Sequence, residues 1–358
     1  MGDPIVSIVI PNKNRCDELV HTLHSVAAQT MGDFECLVVD DNSTDAFAET
    51  VEPFLRDRRF RVLKQRPDRG GAPAARNDGL AASRGRFVLF LDSDDLLAPH
   101  CLAQRVAAME QRPELDFLVF PAEMFRQTPG DVGLLWNADT GEDDLDRFCR
   151  HDVPWQTTGP LWRREALYKI GPWDEAALSA QDWEFHVRAL IAGLRYDRVA
   201  DRPIDLYWRM AAADRASIGK SSVMNRAYHP ARLALWRRVH ARVRDAGLLT
   251  DLRRRCFVGM YFTACEQIGL KLSRRDARVG WRAAREDGLL DRRQWWQGWL
   301  LLAQLRFPQR YQRAKASQQA RWPVEYFLPR SPTFMKTPAP RGAPVGASAP
   351  RSPVAEVA

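Results

Sequence analysis

Along residues 1–210 the apolar positions fall into short runs separated by stretches of helical spacing. Residues 5–10 (IVSIVI) form a β-branched run closed by Pro11, which reads as a strand buried on both faces. Leu19, Leu23, Val26 and Ala27 then recur at helical spacing over 15–30. Residues 34–39 (FECLVV) read as a second strand, ending in Asp40, Asp41, Asn42 and Ser43. Ser43 or Thr44 is placed to cap a helix carrying Val51, Phe54 and Leu55. Residues 60–63 make a third strand, and Gly70–Gly71 lead into a small-residue helix over 74–83 with Gly85 as its C-cap. Residues 87–91 (FVLFL) are the fourth strand, followed at once by Asp92, Asp94 and Asp95. Pro99 opens a helix with Leu102, Val106 and Met109 on one face, and 116–120 (DFLVF) reads as a fifth strand. Residues 127–151 are polar and irregular, 181–192 are helical up to Gly193, and 196–207 are extended. This alternation predicts an α/β fold, a mostly parallel sheet with helices on both faces.

After Met210 the pattern changes. Residues 211–225 read as a flexible segment, 226–320 as Arg-rich helices, and 329–358, with seven prolines, as a disordered tail. The expected domains are therefore 1–210, 211–328 and 329–358. Charge follows the same division. Residues 1–210 hold 25 basic and 35 acidic side chains, whereas 211–328 hold 24 and 9, within an overall charge of +8. An acidic front and a basic back suggest different partners for each. Residues 292–307 (RRQWWQGWLLLAQLRF) place Trp295, Trp299 and Leu302 on one helical stripe between arginines. Such a stripe suits either an anionic membrane interface or packing on the front domain. Nucleic-acid binding has no motif to support it. Six scattered cysteines without a CxxC pair read as buried thiols. No signal peptide and no apolar run of about 20 residues is evident, so the expectation is a cytoplasmic protein, at most peripheral to the inner face of the membrane.

Two acidic clusters, Asp40/Asp41 and Asp92/Asp94/Asp95, end two different strands. Parallel strands bring both to one rim, where open α/β sheets bind ligands. Carboxylates accept from base or sugar donors, while a diphosphate needs cations. Arg15, Arg69 and Arg76 can supply these, as can a divalent metal, since Mg²⁺ takes one or two carboxylates plus substrate phosphates. Neither a P-loop nor a GxGxxG turn is present. The constellation reads as a nucleoside-diphosphate site; for Arg76 a surface salt bridge is the competing reading. Asp182 stands at a helix start, where the dipole alone would favour it. Trp155 and Gly159, in WQTTG, suit either a sugar face or the core.

The ordered segments VSIVIPNKNR, LVVDDNSTD, GGAPAARNDGL, GRFVLFLDSDDLL and QDWEF resemble the motifs of family 2 inverting glycosyltransferases with the GT-A (Rossmann-like) fold, over about residues 5–210. The resemblance implies transfer of a sugar, typically a hexosyl group, from a nucleotide-diphosphate donor, most often a UDP-sugar, to a glycan, lipid-linked or other hydroxyl acceptor in cell-envelope polysaccharide synthesis. It implies that Pro11, Asn14 and Arg15 flank the nucleotide and that Asp41 accepts from the base. Arg76 then lies near base and phosphates, and Asp92, Ser93 and Asp94 form the DxD segment. Asp94 and Asp92 are the implied holders of Mn²⁺ or Mg²⁺, and Asp182 is the implied general base. Trp155, Gly159 and Trp183 fall in the acceptor neighbourhood. The family's usual Glu-Asp pair is here Gln181-Asp182. A processive synthase is disfavoured, because QxxRW is not matched. The alternatives are a sugar-nucleotide nucleotidyltransferase and a non-catalytic carbohydrate- or membrane-binding derivative.

Overall fold

The computed structural model describes residues 2–137, 139–210, 228–307, 309–314 and 335–336. The first strand, β1 (Val6–Asn12), lies inside the sheet, with β2 (Phe34–Asp40) and β3 (Phe60–Lys64) following in parallel on one side and β4 (Phe87–Phe90) on the other. All residues of β1, β2 and β4 are buried, which is why their sequences are apolar runs rather than alternations. The linking helix α1 (Cys16–Ala27) and the short α2 (Phe47–Val51) cover one face. α3 (Ala72–Ala82) covers the other, with Ala75 and Leu80 against Val9 and Val39.

Beyond β4 the sheet departs from simple alternation. Leu96–Leu97 (β5) leaves it, α4 (Cys101–Glu110) packs beside α1, and β6 (Phe117–Val119), β7 (Ala122–Phe125) and β8 (Leu134–Leu135) follow. After α5 (Asp144–Cys149), β9 (Pro160–Arg163) inserts antiparallel between β4 and β6, and α6 (Arg164–Ile170), α7 (Gln181–Ile191) and β10 (Tyr196–Arg198) complete the layer. The order is β10-β6-β9-β4-β1-β2-β3, a mostly parallel sheet with helices on both faces. β11 (Leu206–Arg209) joins β5, β7 and β8 in a second small sheet.

Several local expectations change. The helix expected to run through Leu55 stops at Val51, and Pro53 opens a separate 3-10 turn at Phe54–Arg56. Neither Ser43 nor Thr44 caps it, because the Ser43 hydroxyl accepts from the Asn14 amide at 3.0 Å. Gly85 is no C-cap: α3 already ends at Ser83 in extended backbone. Gly85 instead passes so close to β1 that an added Cβ would lie 2.4 Å from the Ser7 nitrogen. The stretch expected to be irregular, 127–151, contains β8 and α5, the latter capped by Asp143 accepting from the Asp146 amide.

The basic half forms α8 (Tyr228–Asp245), α9 (Asp251–Lys271), α10 (Arg274–Glu286) and α11 (Arg292–Ala303), which share the core on the α3/α7 side of the sheet. Arg238 pairs with Asp174, Arg242 with Glu184, and Arg253 with Asp143 and Asp146. Part of the charge asymmetry is thus complementarity within the chain. Trp295 and Trp299 are half-buried against this core and Leu302 is buried, so the stripe packs. Gly298 lets it do so: a Cβ there would meet the Trp281 ring at 2.2 Å. The segment 211–225 lies outside the described residues, as does the Pro-rich tail apart from Met335–Lys336, whose backbone pairs with β8. Five of the six cysteines are buried and all are free. Among the described residues no helix is long and apolar enough to cross a membrane.

Candidate active site

The C-terminal ends of β1, β2 and β4 converge on one rim, and each delivers site residues there. Pro11 is still inside β1, paired with Val39, and is buried. The turn that follows contains Asn14 in the left-handed region (φ 51°), and Asn42 after β2 repeats this (φ 53°). The two turns are tied together, since the Asn14 side-chain oxygen accepts from the Thr44 amide at 2.7 Å. Asn tolerates this backbone. Ala180, immediately before α7, also adopts it (φ 54°) without that excuse. Such strain is kept where the surroundings fix it, commonly at ligand sites. Here it sets the direction in which α7 begins.

Asp41 is buried at the end of β2 and accepts from the Gly71 amide (2.9 Å) and Lys13 Nζ (3.1 Å). It therefore anchors the glycine loop that leads into α3. Arg69, in that loop, pairs with Glu175 and Asp78 and is committed to the protein.

Asp92 and Asp94 leave β4 half-buried, and each meets a guanidinium. Arg15 pairs with Asp94, and Arg76 Nη2 donates to Asp92 at 2.6 Å. Arg76 is only 4% exposed, lies over the Trp173 ring at 4.6 Å, and with Nη1 donates to Gln181 Oε1 at 3.0 Å. It is no surface salt bridge. It joins the DxD segment to the start of α7, and because Gln181 is neutral, Asp92 is the one anion bonded to it in this link. Burial pushes the Asp94 carboxyl up, opposed by the Arg15 cation and reinforced by Asp92. Ser93 is buried, its carbonyl accepting from Thr22 Oγ1 at 3.0 Å.

Asp95 turns away from the rim and does not cap α4. Its carboxylate accepts from Thr158 Oγ1 and from the Arg209 amide, both at 3.0 Å. The Arg209 side chain in turn donates to the Asp94 carbonyl at 2.8 Å. Arg209 thus braces the acidic turn from 115 positions away. In the sequence Arg209 is marked only by the two aromatic residues before it, Tyr207 and Trp208.

Asp182 lies half-buried in the first turn of α7, accepting from the Trp183 amide at 2.9 Å. Burial raises its carboxyl pKa, the amide opposes this, and the Asp92 charge adds to it. The Arg76 cation opposes it. A half-buried carboxylate poised above its ordinary 3.8 is what proton abstraction needs.

Two acceptor-neighbourhood expectations change in character. Trp183 is fully buried, and its indole donates to the Phe148 carbonyl at 2.6 Å, so it is a core residue below the site. Trp155 is also buried, edge-on to Phe148 at 4.9 Å, although it lines a cavity described below. Gly159 lines the same cavity.

Among the described residues no cluster of three or more His, Cys, Asp or Glu could by itself hold a metal. The donor set of Asp92 and Asp94 nevertheless fits a hard cation that takes one or two carboxylates and completes its shell with phosphate oxygens and water.

A rim carrying Asp41, a DxD turn and a half-buried carboxylate on a following helix fit a sugar-transferring enzyme of GT-A architecture. The chain belongs to glycosyl transferase family 2, whose model matches residues 7–170. It is 32% identical over 189 residues to a PGL/p-HBAD biosynthesis glycosyltransferase of Mycobacterium tuberculosis, spanning 52% of this chain and 70% of that protein. It is 30% identical over 154 residues to the putative glycosyltransferase EpsH of Bacillus subtilis, 43% of each chain. In solved structures the fold resembles S. aureus TarS 1-349 in complex with UDP-GlcNAc, with TM-score 0.64 and 21% identity over 88% of this chain and 91% of that one.

Proposed function

We propose that this chain is a metal-assisted inverting glycosyltransferase that moves a hexosyl group from a nucleoside-diphosphate sugar, with UDP the first nucleotide to test, to a hydroxyl of a glycan or lipid-linked acceptor. The observation that carries this reading is Asp182. It is a single carboxylate with raised affinity for a proton, set beside a DxD turn rather than opposite a second catalytic carboxylate. Direct displacement needs one base and one means of stabilising the leaving diphosphate. A glycosidase needs a carboxylate pair flanking the bond.

In the reading proposed, Pro11, Asn14 and Asp41 border the nucleoside, and Asp41 offers the base the accepting capacity left by Gly71 and Lys13. Arg15 and Arg76 face the diphosphate, with Ser93 holding the turn. Asp94, with Asp92, would hold Mn²⁺ or Mg²⁺. When bound, the ion neutralises charge developing on the departing diphosphate. Asp182 takes the acceptor proton as the hydroxyl attacks the anomeric carbon from the face opposite the leaving group. Because its carboxyl pKa is raised, its basic form is lost as pH falls through that value. The acid limb of kcat is therefore expected above the ordinary aspartate range, and a limb at or below pH 3.8 would remove Asp182 from the role. A thermal-shift panel of nucleoside diphosphates with and without Mn²⁺ tests the donor site. Stabilisation by one base, dependent on metal, is expected; none with any member of the panel defeats the reading.

The packed side of α11 leaves another side free. Trp296, Leu300 and Phe307 are 47%, 51% and 49% exposed, among exposed Arg292, Arg293, Arg306 and Arg310. We propose that this face rests on an anionic membrane. The triple change Trp296→Ser, Leu300→Ser, Phe307→Ser should weaken co-sedimentation with phosphatidylglycerol vesicles at least roughly tenfold, as burial of such side chains contributes about 1.5–3 kcal/mol each. Unchanged sedimentation would leave the face without that role.

A further inference from the structure

A cavity of about 270 Å³ opens on the same rim, past the ends of β6 and β10. Val119, Ala122, Trp136 and Trp155 give it a mainly apolar wall. Its charged lining residues, Arg198 and Asp139, are paired with one another at 3.4 Å, and Arg198 also pairs with Asp144. The space is thus suited to a neutral group, not to phosphate.

Two observations connect it to the reaction. The first is the turn 155–159, which forms a common wall. Trp155, Gln156 and Gly159 face the cavity, while Thr158 between them donates to Asp95 at 3.0 Å and accepts from the Asp92 amide at 3.4 Å. Buried Arg105 fixes this turn by donating to the Thr158 and Gly159 carbonyls at 2.9 and 3.2 Å. In strand order, β6 is two strands from β4, roughly 10 Å at the usual inter-strand spacing, or about the reach of one or two sugar rings. The second observation is a pair of orphan donors. Gln156 Nε2 and Trp155 Nε1 are buried, 4% and 2% exposed as residues, and neither finds an acceptor in the protein. The Gln156 oxygen is already engaged by the Gly159 amide at 3.2 Å, so its amide nitrogen is left over. Buried donors normally have partners, and a mainly apolar cavity with a few placed polar groups is the usual form of a small-molecule site.

We infer that this cavity is an aglycone subsite: it takes an uncharged aromatic or acyl portion of the acceptor, carrying an oxygen that accepts from Gln156 or Trp155. The inference rests on the transferase reading, because it assigns the acceptor side of that site. The acceptor class it names is a glycoside or alcohol with an apolar aglycone, rather than the terminus of a bare polysaccharide.

Saturation-transfer NMR on the full chain with phenyl β-D-glucoside and methyl β-D-glucoside tests it. The phenyl protons should saturate strongly and the methyl glycoside weakly. Ala200→Phe and Ala122→Leu, which fill the cavity from the loop after β10 and from the start of β7, should each reduce the phenyl signal at least fivefold while leaving the melting temperature and nucleoside-diphosphate binding unchanged. Equal saturation of the two glycosides, or a phenyl signal untouched by both variants, overturns the inference. UDP on the same samples separates the two readings. Aryl binding without any nucleotide binding would sink the transferase assignment, and nucleotide binding without the aryl preference would sink only the subsite.

Discussion

Asp182→Asn is expected to lower kcat by about 10²–10⁴-fold, the usual contribution of a positioned base, while nucleoside-diphosphate binding stays within about twofold. The substitution is close to isosteric. Asn keeps an oxygen to accept from the Trp183 amide, so the first turn of α7 should stand. It removes a charge that burial already disfavours, which makes a loss of stability unexpected. The acid limb of the pH profile should disappear from whatever turnover is left, a signature that a merely structural role would not produce. Substantial turnover with the wild-type limb intact would place the base elsewhere. Full loss of turnover with donor binding retained would also exclude the non-catalytic derivative that the sequence allowed.

Asp94→Ala should abolish the metal-dependent part of nucleoside-diphosphate binding, on the order of 10²-fold if the ion contributes several kcal/mol. Stability offers a control. The Arg15–Asp94 pair is about a quarter exposed on both sides, and such partly solvated pairs contribute no more than about 1 kcal/mol. The melting temperature should therefore move little while binding collapses. Arg76 would be a poorer probe. It is buried against Asp92 and Gln181, and removing one partner of a buried pair costs about 3–5 kcal/mol, so lost activity could reflect lost folding. Binding by Asp94→Ala that still responds fully to Mn²⁺ would take the metal role away from this residue.

The parts of this site that could be read in the sequence are those fixed by local pattern. Strands buried on both faces leave unbroken apolar runs, so β1, β2 and β4 and the acidic turns at their ends stand out. β9 does not. It is four residues long, and its antiparallel place between β4 and β6 is decided by tertiary pairing. Periodicity likewise shows that Trp183 and Trp295 lie on apolar stripes without saying what each stripe meets, and both turned out to pack inward. Charge counts alone suggest different partners for the two halves, whereas Arg238, Arg242 and Arg253 pair with acids of the front half. Arg209 and Ala180 are the sharpest omissions. One acts on the acidic turn through a contact spanning 115 positions, and the other through a backbone angle that alanine gives no reason to expect.

A single displacement driven by one base inverts the anomeric carbon, so the configuration of the first product distinguishes it from any two-step route. With an α-linked sugar donor of the nucleotide that the thermal-shift panel selects, proton NMR can follow the sugar as it first appears, whether on an acceptor or by slow transfer to water. The β-anomer is expected to form first, with wild-type protein and not with Asp182→Asn. Initial release of the α-anomer would mean retention, and with it a mechanism that this arrangement of Asp92, Asp94 and Asp182 does not describe.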